Sequence, residues 1–234
     1  VKVFKTTLDT ETFVVDEATT AQLPTANTIE THDFKAKPTV NVITKTAGFD
    51  GTVAFTFTSF NRVPINGKVI VELAQSTITG GNGFTSIGTS PALTGVSPTG
   101  QFTAASASVV GSNHKVVLTL AKELPANQAV AFTIGNVKNR ESKGSTDPVK
   151  VFRTTLSDST YIVDEATGTQ LVTEQAITVR DFAKAPTFDV VTKTAGFLGT
   201  VDFVFTSVNR VPKDGKVIIE LLASDDAGSN GFKT

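Results

Sequence analysis

The chain repeats itself at a fixed offset of 148 residues. Val1 aligns with Val149, and the alignment continues without a gap through Phe84 and Phe232 to the last residue. About 50 of the 86 aligned pairs are identical. Because the units of solenoid proteins are only about 20–50 residues long, this period indicates a duplicated domain. The 234 residues therefore hold one full unit and part of another.

A fainter repeat inside the unit predicts paired hairpins. "FTFTSFNRVPINGKVIVEL" resembles "VVLTLAKELPANQAVAFTI" when Pro64 is placed on Pro125. Both stretches read as strand, turn and strand with alternating apolar residues, a pattern typical of two packed antiparallel sheets. We expect an all-β fold: an Ig-like antiparallel β-sandwich in tandem repeats of about 148 residues. The expected core is Phe55, Phe57, Val69, Val71, Leu73, Val116, Leu118, Val130, Phe132 and Ile134.

Further strands are predicted near residues 39–46, 102–110, 149–156, 160–164 and 176–182. The segment "TGGNGFTSIGTSPALTGVSPTG" is rich in Gly, Ser and Pro, which predicts a loop. No segment has the pattern of an amphipathic helix.

Two proline-containing segments, "DFKAKPT" and "DFAKAPT", predict the limits of the repeat. With joints after Pro38 and Pro186, residues 39–186 form a complete sandwich. Residues 1–38 are then the last part of a preceding repeat, and residues 187–234 the first part of the next. In the alternative phase the domain starts at Val1 and "SKGSTDP" forms the joint.

The composition restricts the classes of partner. A net charge of −1 gives no electrostatic reason to bind nucleic acid, and no apolar run is long enough for membrane insertion. The absence of Cys excludes disulfides and thiolate metal sites. A start at Val1 and a lack of Met suggest that the natural N-terminus lies elsewhere.

The motif Asn-Arg-Val-Pro-x-x-Gly-Lys occurs in both copies. A recognition loop and a structural turn both fit it, and the turn is favoured because Pro and Asn-Gly or Asp-Gly suit tight turns. Arg62 would then pair with an acid such as Glu72. The turn residues are Asn61, Arg62, Pro64 and Gly67, with Asn209, Arg210, Pro212 and Gly215 in the second copy.

Acidic pairs recur in "VDEAT". Asp16 and Glu17, and likewise Asp164 and Glu165, are weak candidates for Ca²⁺ ligands because calcium takes six to eight oxygens. Asp33 and Asp181 would add to such a site. A solvated turn explains the pairs equally well, so no cofactor is expected unless it is Ca²⁺.

No arrangement of residues predicts catalysis. Neither His32 nor His114 stands in a recognisable Ser, His and Asp pattern, and no phosphate-binding loop is present. We therefore expect a protein that is not an enzyme. N-glycosylation sequons are absent, whereas the Thr- and Ser-rich residues 85–103 suit O-linked glycans.

The hairpin "FTFTSFNRVPINGKVIVEL" and the later "FTIGNVKNRESKGSTDPVKVFRTTLSDSTYIVDEAT" resemble the long extracellular tandem-repeat proteins of microbes and algae. That resemblance covers the whole chain and implies Ig-like units of a surface-layer, sheath or filament protein, without catalytic residues. It also implies an extracellular or cell-surface location.

Three functions follow as hypotheses. The first is a structural protein that forms a filament or surface layer, its partners being copies of itself joined head to tail. The second is an adhesin or carbohydrate-binding module on a repeat stalk, for which the lack of Trp and the single Tyr161 are unfavourable. The third is a spacer domain of a large secreted enzyme.

Two modes of assembly are expected as alternatives: strand complementation between copies, or covalent continuation of the same repeat. Residues 187–234 lack the counterpart of residues 87–148, and residues 1–38 lack the same middle. The apolar residues Phe203, Phe205, Val217, Ile219 and Leu221 should then be exposed. An open sheet edge and a bare apolar face favour pairing with residues 1–38 of another copy.

Overall fold

The computed structural model describes residues 5–7, 14–17, 31–77, 81–147, 149–171, 173–194, 196–224 and 231–232. They fall in two compact units, Val1–Thr31 and His32–Thr234. The strands in chain order are β1 Lys5–Thr7, β2 Val14–Glu17, β3 Ala36–Val42, β4 Asp50–Thr58, β5 Lys68–Ala74, β6 Phe84–Ile87, β7 Leu93–Ser97, β8 Phe102–Val110, β9 Asn113–Leu120, β10 Ala129–Asn139, β11 Gly144–Ser145, β12 Val151–Thr155, β13 Ile162–Glu165, β14 Ala176–Ile177, β15 Lys184–Val190 and β16 Val201–Thr206.

The predicted all-β class is confirmed. Apart from a 3₁₀ turn at Gly168–Gln170, the described residues contain no helix. Within them, therefore, no helix is long and apolar enough to cross a membrane.

The first unit contains one antiparallel hairpin. Strand β1 pairs with β2, with Lys5 opposite Glu17 and Thr6 opposite Asp16. The side chains of Asp16 and Glu17 lie outside the described features, as does most of the predicted segment 1–38.

The second unit contains two five-stranded antiparallel sheets. In one, the strand order is β3, β4, β10 and β6, and β7 also pairs with β10. In the other it is β13, β12, β5, β9 and β8. Along β9 the side chains alternate between buried and half-buried, as expected for a strand with one face on the core.

Both sheets contribute to one hydrophobic core, an arrangement consistent with a β-sandwich. Phe55 of β4 stacks on Phe132 of β10, with ring centroids 4.9 Å apart. From the other sheet, Phe152 of β12 contacts the rings of Phe34 and Phe57 at 5.4 and 5.5 Å. The ten residues predicted as core are all buried.

The predicted Gly- and Ser-rich loop was partly wrong, because it contains strands β6 and β7. Both pair with β10, β6 placing Ile87 opposite Val137 and β7 placing Leu93 opposite Ile134. Their sequence has little strand propensity of its own, so a partner far along the chain stabilises them. The strand expected over residues 176–182 is also shorter, since β14 ends at Ile177.

Hairpin registers recur at the offset of the sequence repeat. In β12–β13, Arg153 is opposite Glu165, as Lys5 is opposite Glu17 in β1–β2. In β15–β16, Phe188 is opposite Phe203, as Val40 is opposite Phe55 in β3–β4. The repeated sequence thus forms the same local pairing twice.

Core residues extend from Phe34 to Ile177. Pro38, the first predicted joint, lies within β3. Division of the chain at Pro38 and Pro186 stays a prediction.

Candidate functional site

The Asn-Arg-Val-Pro motif forms a turn that is joined to its internal counterpart. The N–H of Gly67 donates to the carbonyl of Pro64 at 3.0 Å, and Asn66 has a φ of 66°. A Cβ on Gly67 would lie 2.5 Å from Val63 Cγ1, so no larger residue fits. The second copy repeats this turn, with Gly215 donating to Pro212 at 3.0 Å.

Arg62 lies beside an acid, but not the one suggested by the sequence. Its Nη1 is 3.3 Å from Glu123 Oε2, and both side chains are largely exposed. Next to this pair, Val63 and Leu124 exchange two backbone hydrogen bonds of 2.9 and 2.8 Å. That bridge brings the two proline turns together and explains why Arg62 pairs with Glu123 rather than Glu72.

The carboxylate of Asp164 is the best-defined polar site of the second unit. It is completely buried and accepts hydrogen bonds from the backbone N–H of Phe60 at 3.1 Å and of Asn61 at 3.2 Å. Asn61 Nδ2 donates to it at 2.9 Å. The two recurring motifs, Asn-Arg-Val-Pro and "VDEAT", therefore bind each other.

Burial raises the pKa of Asp164, while hydrogen bonds from Asn61 and Phe60 and the nearby His32 act to lower it. His32 stacks flat on Phe60 with centroids 3.5 Å apart, and its carbonyl accepts the N–H of Glu165 at 2.9 Å. These contacts enclose the carboxylate.

The remaining residues of "VDEAT" also have structural contacts. Glu165 lies 3.8 Å from Arg153, Ala166 is buried in the core, and Thr167 Oγ1 donates to Asp33 Oδ1 at 2.7 Å. Sequence reasoning missed these roles because the partners lie about 10 to 130 residues away. The one available signal was that both motifs recur in both copies.

Calcium binding by the acidic pairs stays a prediction. Asp164 and Asp33 accept hydrogen bonds from N–H or O–H groups of the protein, and Glu165 lies beside a cation. No group of three or more His, Cys, Asp or Glu side chains suited to a metal ion occurs in the described part of the chain.

His32 and His114, the residues considered for catalysis, lie in different surroundings. His114 is buried on β9, and its Nε2 hydrogen-bonds the carbonyl of Phe84 at 3.0 Å, so this nitrogen carries the proton. Burial lowers the pKa of His114, an effect that this hydrogen bond partly offsets. The structure does not bring the two histidines together.

Two glutamine side chains bind the backbone along the outer edge of β3 and just before that strand. Gln170 accepts the N–H of Phe34 at 3.0 Å and donates to its carbonyl at 2.9 Å. Gln175 does the same for Val42 N–H and the Val40 carbonyl. The edge strand is thus protected from pairing with other chains.

The second sequence copy presents the same apolar residues to solvent. We call residues 34–74 the closed region and the equivalent residues 182–222 the open region. Phe55 is 1% exposed in the closed region, whereas its counterpart Phe203 is 36% exposed. Ile70 is fully buried, whereas Ile218 is 77% exposed. Phe205, Val217, Ile219 and Leu221 are exposed as well, as the sequence predicted.

The open region also lacks a strand that the closed region has. Residues 68–74 form β5 between β9 and β12, but residues 216–222 belong to no strand, and none of the described strands pairs with them. A groove of about 310 Å³ is left, lined mainly by Phe182, Phe188, Phe203, Phe205, Val217, Ile219 and Leu221.

Asn209, the counterpart of Asn61, has different partners. Its Nδ2 donates to the carbonyls of Ala47 and Glu141, each at 3.2 Å. Gly48 has a φ of 65°, and a Cβ on it would lie 1.9 Å from Asn209 Oδ1, so a larger residue there would displace the Asn209 side chain. The turn of the open region therefore packs on the sandwich that precedes it.

No protein-family model matches this chain, and no curated protein is significantly similar to it.

Proposed function

We propose that this chain is a structural protein whose Ig-like β-sandwich repeats associate with copies of themselves into an extracellular filament or surface layer. The observation that carries the proposal is the apolar face of the open region, whose counterparts form the core of the closed region. An exposed apolar groove of this kind marks an interaction surface. The near-zero net charge opposes self-association little.

The Ig-like assignment is supported by two antiparallel sheets around one core and by the paired proline turns. The extracellular location is supported by the resemblance to extracellular repeat proteins. A carbohydrate-binding site usually presents Trp or Tyr rings, and this chain has no Trp and one tyrosine, the exposed Tyr161. We therefore prefer the structural function to the adhesin or carbohydrate-binding alternative.

Sedimentation velocity and electron microscopy over a range of concentrations test the proposal. The protein should form oligomers and then fibres or sheets as its concentration rises. Ile219→Glu, which places a charge in the groove, should keep the protein monomeric. Val109→Glu, at an exposed position on edge strand β8, is the matched control and should assemble like the parent. A parent protein that stays monomeric at every concentration would overturn the proposal.

O-linked glycans are a further partner. Thr89, Thr94 and Thr99 are exposed around β7, where a glycosyltransferase can reach them. Intact-mass measurement of the protein isolated from its source should show hexose increments on residues 85–103. An unmodified mass would remove glycans from the account.

A further inference from the structure

Strand β12 and the residues after it show what covers the closed region. Strand β12 pairs with β5 from Val151 opposite Glu72 to Thr155 opposite Lys68. Its Phe152 is fully buried among the rings of the closed region. Asp164 then binds the Asn61 turn, and Gln170 covers the backbone of Phe34.

The same covering sequence occurs at the start of the chain. Residues 1–29 repeat residues 149–177 and keep most of the covering residues. One is replaced: Gln175, which binds the backbone of Val40 and Val42, has Asn27 as its copy. The kept residues and their copies are Phe152 and Phe4, Asp164 and Asp16, Thr167 and Thr19, Gln170 and Gln22, and Ile177 and Ile29.

The open region keeps the residues that receive this cover. Asp33, Phe34, Phe55, Phe57 and Asn61 are matched by Asp181, Phe182, Phe203, Phe205 and Asn209. One contact is altered: His32 and Phe60 become Arg180 and Val208, so the flat ring stack is not repeated.

We propose that residues 1–29 of a second copy of this chain cover the open region, with Phe4 in the groove and Asp16 on the turn at Asn209. This inference rests on the proposed function and names its contact. Val3 would pair with Glu220 and Thr7 with Lys216, the register of β12 on β5 shifted by the repeat. Addition of a strand to an open sheet edge supplies backbone hydrogen bonds, and side-chain pockets give the specificity.

The donor hairpin already has the required backbone. Strands β1 and β2 pair in the register of β12 and β13, including the irregularity after Thr6 that matches the one after Thr154. A segment that holds its bound conformation before binding loses less entropy on association.

The acceptor for Asp16 is the backbone of the turn. Asn209 Nδ2 is engaged with Ala47 and Glu141, but the N–H groups of Val208 and Asn209 are separate from that contact. They correspond to the two N–H groups that bind Asp164. A carboxylate at this position would be held by charge-assisted hydrogen bonds.

A contact between residues 1–29 of one copy and the open region of another is heterologous. Such a contact gives a ring when the rotation between copies closes and an open filament when it does not. We expect the filament. Each added copy presents a fresh open region, and growth continues from that end.

Two single-cysteine variants test the contact, and the native chain has no cysteine to interfere. Val3→Cys is mixed with Glu220→Cys under glutathione disulfide as the oxidant. Residues directly opposite on paired strands lie about 4.5–5.5 Å apart, within disulfide range. Because each chain has one thiol, a heterodimer reports only an intermolecular contact. The matched control replaces Glu220→Cys with Lys216→Cys, which lies outside the groove and opposite Thr7 in this register, four residues along the strand from Glu220.

The Val3→Cys and Glu220→Cys pair should form the disulfide-linked heterodimer at least tenfold faster than the control pair. Equal rates, or no heterodimer from a protein that sediments as an oligomer, would overturn the inference and leave the proposed function standing. A parent that does not associate would instead overturn the proposed function.

A second test needs no crosslink. Phe4→Ala should raise the dissociation constant for self-association at least tenfold, since buried aromatic side chains dominate interfaces. Phe13→Ala is the matched control, because its counterpart Tyr161 is exposed. Similar small effects of both changes would contradict the placement of Phe4 in the groove.

Discussion

The closed and open regions have closely similar sequences and different structures. "KVIVELA" is strand β5 with a partner on each side, whereas "KVIIELL" at residues 216–222 is not a strand. Both have the alternating apolar pattern and the β-branched residues of a strand. The difference shows that the apolar pattern and the residue propensities favour a strand, but that the strand forms where neighbouring strands pair with it.

Aromatic packing differs in the same way. Phe55 stacks on Phe132 and also contacts Phe152, which come from strands outside the closed region. Its counterpart Phe203 contacts Phe188 of its own hairpin at 5.9 Å. Core formation in the closed region therefore needs covering strands from later in the chain.

The largest expected difference between the regions is at a matched pair of phenylalanines. Phe57→Ala should lower the free energy of unfolding by about 3–5 kcal/mol because Phe57 is buried among aromatic rings. Phe205→Ala should lower it by less than about 1 kcal/mol in dilute, unassociated protein. Urea denaturation of the two variants measures this, and equal losses would show that the open region is closed in solution.

The next effect concerns the buried carboxylate. Asp164→Ala leaves the three donors of Phe60 and Asn61 without their acceptor and should cost about 3 kcal/mol. Asp16→Ala should cost less than about 1 kcal/mol in dilute protein, because the partner proposed for its carboxylate is on another copy. Thermal unfolding compares the pair, and an Asp164→Ala variant as stable as the parent would remove this site from the account.

The free energy of unfolding is expected to depend on pH through His114, which lies on β9 beside β5. Its pKa in the folded protein is below its ordinary value of 6.5, so the unfolded chain binds the proton more tightly. Its contribution to stability is therefore complete above pH 6.5 and is lost as the pH falls towards the folded pKa.

His114→Gln keeps a donor for the Phe84 carbonyl and has no titration. Between pH 7 and pH 5 the free energy of unfolding should fall more for the parent than for this variant, as measured by urea denaturation. Asp164, whose raised pKa acts with the opposite sign, is common to both proteins. Parallel curves would contradict the role of His114.

Smaller effects are expected at the surface. Arg62→Ala should change the free energy of unfolding by less than about 1 kcal/mol, because its ion pair with Glu123 is exposed. A loss of several kcal/mol would mean that the turn depends on this charge.

The smallest effect is expected from chelation. EDTA should leave the melting temperature unchanged, because the oxygens of Asp164 bind N–H groups. A shift of many degrees that Ca²⁺ restores would make Asp16, Glu17, Asp164 and Glu165 metal ligands.

Much of the fold was predictable because the alternation of apolar and polar residues, which indicates strands and core positions, is a local property of the sequence. Strand β8 was predicted at its observed bounds, and Phe57 and Val71 are buried as expected. Strands β6 and β7 were missed because β10, far along the chain, stabilises them. The buried site of Asp164 was missed for the same reason, since its partners lie about 100 residues away.

Hydrogen exchange tests the comparison most directly, because "KVIVELA" and "KVIIELL" give peptides of different mass. Amides of residues 68–74 should exchange slowly at every protein concentration. Those of residues 216–222 should exchange rapidly in dilute protein and slowly once the protein associates, because a second copy then supplies the missing strand. Slow exchange of residues 216–222 in a dilute monomer, or rapid exchange in the assembled protein, would contradict the account.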